Sequence, residues 1–225
     1  MLIKPSLFIK AIVLFWVGLA LTAQALSSCP PAASSYTDTS LPPNAAIELV
    51  TNEILTKIEV HRIAVNDTKD GESKAEQTQC FYTDIDGTLA KIVDFDWIAL
   101  NVMGSYRKAA NTTQKQQFSR AFRSGLVETY GRGLLSYSSE KIVLLSNDDE
   151  IGKKRKVSVR QEIRGVDTNY PLKYTMGLKN GQWKIINVTI NGINLGKTFK
   201  GQFQQSAQKY KGNIDKVIAG WDSSI

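Results

Sequence analysis

Apolar positions along the chain change period twice, dividing it into a helical part, a strand part and a helical close. The central pattern runs from Phe95 to Tyr137 as two helical segments joined by a polar corner at Asn111, Thr112 and Thr113. In the second segment, Phe118, Ala121, Phe122, Gly125, Leu126, Thr129, Tyr130, Gly133, Leu134 and Tyr137 recur at the three-and-four spacing of one buried helix face. Lys115, Gln116, Arg120, Arg123, Glu128 and Arg132 fall on the other face. Thr113, with Gln116 three residues on, reads as the capping box that starts this helix. Phe95, Ile98, Ala99, Val102, Met103 and Tyr106 form a shorter stripe ahead of it, so the pair predicts a helical hairpin laid on a core.

Upstream, Asn44 follows two prolines and reads as a helix cap, with Ile47, Val50, Ile54, Ile58 and Arg62 at helical spacing behind it. Asn66 to Gln79 is polar, with Asp70-Gly71 as a turn, and Phe81, Ile85, Leu89, Ile92 and Val93 predict a short helix leading into Phe95. After Tyr137 the period falls to two. Lys141 to Ser146 is a compact apolar run, and Val157, Val159 and Gln161 to Arg164 alternate. Leu172, Tyr174, Met176 and Leu178 alternate strictly, and Trp183, Ile185, Val188 and Ile190 follow a hairpin turn at Asn180-Gly181. Phe199, Phe203, Ala207, Tyr210, Ile214, Val217 and Ile218 describe one or two closing helices with a break at Gly212. Helices, then strands, then helix predict an α+β fold: a helical layer packed on an antiparallel β-meander, closed by a C-terminal helix.

A length of 225 residues suits one globular domain. The first residues stand apart from it. Lys4 and Lys10 flank the start of the apolar run Ala11 to Ala23, and Ala23-Gln24-Ala25 is a small-x-small processing site, so residues 1–25 read as a signal peptide cut after Ala25. Residues 26–43, rich in Ser, Pro, Thr and Ala, read as a disordered leader, and 44–225 as a single domain. Export to an oxidising compartment lets Cys29 and Cys80 pair. Leu26-Ser27-Ser28-Cys29 also resembles a lipoprotein processing box, in which Cys29 would carry lipid instead; soluble export is the favoured reading. Loss of the signal takes two lysines and no acids from a net charge of +7, leaving +5, a mild basicity that suits anionic partners. Lys153-Lys154-Arg155-Lys156 lies between strand-like segments with no aromatics interleaved, which argues for a charged loop and against nucleic-acid binding.

The sharpest catalytic candidate is Asp84-Ile85-Asp86-Gly87-Thr88-Leu89, which has the letters of the nucleophile motif of haloacid-dehalogenase-like phosphatases. Ile142 to Ser146 and Asp148-Asp149 could pose as later motifs of that chemistry. Its context fails, because the first Asp must end a buried parallel strand, whereas Phe81-Tyr82-Thr83 is short and polar and strands do not alternate with helices. His61 is the only histidine, at the end of a helical stripe, and reads as a surface or capping residue. No His or Cys pair has zinc-ligand spacing and no Gly-rich loop offers a phosphate cradle, so no catalytic residue, metal or cofactor is expected. Asn-x-Thr sequons at Asn66, Asn111 and Asn187 carry weight only on a eukaryotic secretory route.

Several ordered blocks together resemble one family. Asp94-Phe95-Asp96, Val102-Met103-Gly104-Ser105-Tyr106, Phe118 to Phe122, Thr129-Tyr130-Gly131-Arg132, Leu134-Leu135 and Tyr137 look like the signature of MlaC, the periplasmic phospholipid shuttle also called toluene-tolerance protein. Gly181-Gln182-Trp183-Lys184-Ile185, Val188, Gly192, Ile193, Leu195 and Phe203 match its second block. The resemblance spans Phe81 to the C-terminus. It implies a periplasmic, monomeric, non-enzymatic carrier that moves phospholipid between outer and inner membranes and maintains outer-membrane lipid asymmetry, with the chains in an apolar pocket between helices and sheet. It also implies an inner-membrane ABC transporter with its membrane-anchored ring protein, and an outer-membrane lipoprotein–porin complex, as partners. By that match Tyr130, Leu172 and Ile193 fall at pocket-lining positions; Tyr174, Met176 and Trp183 join them from their place in the alternating strands. Leu89-Ala90-Lys91 replaces the family's Leu-Leu-Pro-like corner, and Asp84 and Asp86 become helix-surface charges. Lys108, Lys115, Arg120, Arg123 and Arg132 are candidates for docking. The alternatives are a metal-dependent phosphatase using Asp84 and Asp86, and an anchored envelope accessory protein that carries no lipid.

Overall fold

The computed structural model describes residue 29 and residues 41–136, 141–145 and 152–221. The expected signal peptide, most of the leader, Tyr137, Ser146 and the Asp148-Asp149 pair lie outside the described residues.

Helix α1 spans Pro43–Asp67 and is capped by Pro42. A proline in the first turn has no N–H to leave unpaired, so the helix starts on the prolines and Asn44 lies inside it, not at the expected cap. Helix α2, Gly71–Ile92, is far longer than its apolar stripe predicts. Asp70 opens it by accepting from the Ser73 amide at 2.8 Å, so Asp70-Gly71 starts a helix rather than turning a polar loop. Its first two turns face solvent with Glu72, Lys74 and Glu76, which need no apolar periodicity, and it turns inward at Gln77, Cys80, Phe81 and Ile85. Cys80 is bonded to Cys29, with 5.4 Å between the Cα atoms.

Helix α3, Phe95–Val102, is capped by Asp94 and followed by a 3-10 turn, Gly104–Lys108. Helix α4, Thr112–Leu135, begins on a reciprocal box two residues earlier than expected: Asn111 Oδ1 accepts from the Gln114 amide at 2.8 Å, and Gln114 Oε1 from the Asn111 amide at 3.0 Å. Asparagine is the better cap and takes the position from Thr113. Helix α4 packs so closely on α2 that a Cβ at Gly131 would stand 2.7 Å from the Tyr82 ring.

The sheet is an antiparallel meander in the order β1-β2-β3-β4-β5, formed by Lys141–Leu144, Lys156–Arg164, Asn169–Lys179, Gln182–Ile190 and Ile193–Asn194. Asn180 and Gly181 both take positive φ, 51° and 79°, which gives the β3–β4 turn the twist that two-residue hairpins require. Helices α5, Leu195–Lys209, and α6, Ile214–Ala219, close the chain, separated at Gly212 with φ 79°. The described helices lie on one side of the sheet, over Val157, Val159, Leu172 and Met176, while Arg160 and Lys173 on the other side are exposed.

Three packed clusters hold the layers together. Phe118, Phe122, Phe199, Phe203 and Trp221 stack edge-to-face between α4, α5 and the chain end. Ile47, Val50, Ile92, Val159, Met176, Trp183 and Ile185 join α1 and α2 to the sheet, and Ile58, Phe81 and Ile85 join α1 to α2.

Candidate functional site

A cavity of about 500 Å3 lies where the three clusters meet, within the size range of small-molecule pockets. Helix α1 contributes Thr51, Ile54, Leu55 and Ile58 to its wall, α3 Phe95 and Ile98, and α4 Phe122, Leu126, Tyr130 and Leu134. The sheet contributes Ile142, Ile163, Leu172, Tyr174, Ile185, Val188 and Ile190, and α5 adds Leu195 and Phe199.

Polar atoms on this wall are few and mostly committed. The Tyr174 hydroxyl donates to Gln161 Oε1 at 3.1 Å, and Gln161 Nε2 donates to Thr51 Oγ1 at 3.1 Å. Burial disfavours the phenolate and pushes the Tyr174 pKa up to about 12. Asn187 Oδ1 accepts from the Gly196 amide at 3.0 Å, and a Cβ at Gly196 would come within 2.5 Å of that oxygen, so a larger residue there would displace the Asn187 side chain and this bond. The Tyr130 hydroxyl, on α4, is buried with no hydrogen-bond partner among the described residues, and burial raises its pKa. Such a wall can exclude water and hold an apolar body. It assembles no acid–base pair, and no metal-binding cluster occurs among the described residues.

Of the six residues expected at a pocket, Tyr130, Leu172 and Tyr174 are on this wall. Met176 and Trp183 are not: they are buried in the cluster beneath α1. Ile193, on β5, is 53% exposed and lies outside the wall.

The phosphatase reading of Asp84 and Asp86 is overturned by their place in the fold. Both sit in the middle of α2, not at the end of a parallel strand. Asp84 Oδ2 is 2.7 Å from His61 Nε2, and Asp86 takes the Arg123 guanidinium at 2.5 and 2.6 Å. His61 is completely buried, against its expected surface position, and meets Phe81 edge-on. It belongs to a polar ladder between α1 and α2, in which Glu53 Oε1 accepts from Thr88 at 2.7 Å and pairs with Lys57 at 3.3 Å. Lys57 also donates to the Asp84 carbonyl. Among the docking candidates, Lys108, Arg120 and Arg132 are exposed, while Arg123 is engaged by Asp86 and lies 5.4 Å from the Phe95 ring centre.

The model of the MlaC protein family matches residues 58–223, nearly three-quarters of the chain. The chain belongs to the MlaC family. It is 30% identical over 185 residues to the toluene tolerance protein ttg2D of Pseudomonas putida, covering 81% of each chain. It is 25% identical over 135 residues to the intermembrane phospholipid transport system binding protein MlaC of Haemophilus influenzae, covering 58% of this chain and 63% of that one. The fold is that of a phospholipid-binding protein from Ralstonia solanacearum, solved in complex with a phospholipid, with a TM-score of 0.69 at 20% identity over 80% of this chain and 94% of that one. In this MlaC family member other cavity residues, such as Ile142 in a compact apolar run and Ile163 in a strand alternation, carry only the sequence pattern of ordinary core. His61 and Val65 did carry a signal: they extend the stripe of Ile47, Val50, Ile54 and Ile58 at three-and-four spacing.

Proposed function

We propose that this protein is a phospholipid carrier of the bacterial envelope, which lodges acyl chains in the cavity between its helices and its sheet. The observation that carries the reading is the cavity itself: about 500 Å3 walled mostly by Leu, Ile, Val and Phe, in a member of the MlaC family. Exposing two acyl chains of about 30 methylenes to water costs on the order of 20 kcal/mol, at about 0.8 kcal/mol per group. A dry wall removes that cost, by burial alone, for the length of chain it encloses. No bond chemistry is needed, and the protein works by taking up and releasing its cargo.

The relatives' names support a place between the two membranes, with transfer partners at each. We read these as an inner-membrane ABC transporter with its ring protein and an outer-membrane lipoprotein–porin complex. Export through cleavage after Ala25 fits the Cys29–Cys80 bond, since a sulfur held in a disulfide cannot also carry a lipid. No helix among the described residues is long and apolar enough to cross a membrane.

Native mass spectrometry of the mature protein, purified gently and then extracted with solvent, tests the reading. A stoichiometric phospholipid adduct is expected. A bare protein mass, with no uptake from labelled vesicles, refutes it.

A further inference from the structure

The sheet wall of the cavity does not stop where the helices stop. Directly opposed residues of an antiparallel ladder share a face. The register therefore carries the cavity side outward from Leu172 to Ile190 to Ile193, and from Ile163 to Tyr170. Leu172 is 7% exposed, but Tyr170 and Ile193 are 43% and 53% exposed. Beyond them the β2–β3 turn holds up Val166 with 92% of its surface in water. An apolar lining that runs on into solvent marks a mouth at this end of the sheet.

The opposite face of the same strands is basic. Lys141 stands opposite Arg164, and Arg160 opposite Lys173, and like charges directly across a ladder repel. Glu162 answers one of them, pairing with Arg164 at 2.7 Å, and Asp167 lies in the turn. Lys197 sits in the first turn of α5, the end of a helix that disfavours cations. The molecule thus keeps unfavourably placed positive charge on the outer face of the strands whose inner face leads to this mouth, and in the first turn of α5.

A surface that supplies negative charge and also accepts apolar side chains relieves both conditions. An anionic bilayer does so, attracting Lys and Arg to its headgroups and taking aromatic and aliphatic side chains into its interface. An acidic protein would have to add an apolar pocket matched to these side chains, whereas a bilayer accepts them without one, including valine at the tip of a turn, where glycine, asparagine, aspartate and serine are usual.

We infer that this end of the sheet docks directly on anionic bilayers, with Val166, Tyr170 and Ile193 entering the interface beneath the basic strand face. The inference rests on the lipid-carrier reading, because it sets the mouth of the cavity against a source of chains.

The test is flotation of the mature chain with vesicles of phosphatidylcholine, alone or with about one-third phosphatidylglycerol, at low and high salt. Binding is expected only with the anionic lipid, weakening as salt rises. Val166→Asp should reduce partition about tenfold. Each cation near an anionic surface contributes roughly fivefold, so Arg160→Glu with Lys173→Glu should weaken it well beyond tenfold. Both variants change exposed side chains outside the cavity, so circular dichroism and the bound-lipid mass should match the parent. A parent that ignores anionic vesicles, or variants that partition as it does, overturns the inference. A lipid adduct without vesicle binding would sink the docking surface and leave the carrier reading intact; vesicle binding without an adduct would do the reverse.

Discussion

Replacing Leu172 by glutamate sets a carboxyl group on the sheet wall of the cavity, at a position only 7% exposed. Loss of the leucine forfeits about 2 kcal/mol of apolar burial. The introduced carboxyl, held from water, ionises above its ordinary pKa of about 4.3. Because its folded pKa is the raised one, the variant suffers no ionisation penalty below about pH 4.3. As pH rises the unfolded chain ionises first, and stability falls by about 1.4 kcal/mol per unit until the folded pKa is reached. At pH 7 that adds roughly 4 kcal/mol, for a total near 6, a large share of the roughly 5–15 kcal/mol that holds a domain together. Urea melts at several pH values, with bound phospholipid measured by native mass spectrometry at each, should show both stability and lipid recovering in acid. Leu172→Met, which conserves volume, should cost less than about 1.5 kcal/mol and keep its lipid at every pH. A Leu172→Glu protein as stable as the parent at pH 8, with its lipid in place, would mean that water reaches this wall and that the dry-cavity reasoning is wrong.

Three further outcomes follow from the geometry. Glu53→Ala should cost about 3–5 kcal/mol in urea melts because it leaves Lys57 buried without its counter-charge, whereas Glu53→Leu with Lys57→Met should recover most of that loss. Arg123→Ala breaks the paired bonds to Asp86 and the contact with Phe95 at a half-exposed site, so a loss of only about 1–2 kcal/mol is expected by the same measurement. The Cys29–Cys80 bond spans 51 residues, and chain entropy gives it at most about 4 kcal/mol; reductant should lower the melting temperature by up to about 15 °C, and a melt indifferent to reductant would contradict this.

The parts of the fold legible in the sequence are those where a local rule has one solution. Asn180-Gly181 declares a hairpin because few residue pairs take positive φ in succession, and strict alternation from Leu172 to Leu178 assigns the faces of β3. The first turns of α2 were illegible because a helix that faces water on every side leaves no apolar period. His61 was misread through its residue type although its spacing was that of the core. The cavity shows the deeper limit. Leu172 and Met176 belong to one strand face and one alternation, yet the first borders open volume and the second fills a packed cluster. What separates them is what lies above each: Met176 meets Ile47, Val50 and Ile92 in a packed cluster, whereas Leu172 faces open volume, and those neighbours come from far along the chain.

The polar ladder between α1 and α2 has a mechanical consequence for the cavity. Glu53, Lys57 and His61 on α1 engage Thr88 and Asp84 on α2 like the wards of a lock. Sliding α1 by one helical turn, about 5.4 Å, would break these pairings and set Glu53 against Ile92 in one direction or against Asp84 in the other. The other side of α1 carries Thr51, Ile54, Leu55 and Ile58 into the cavity wall. The α1 part of that wall is therefore held in register against α2.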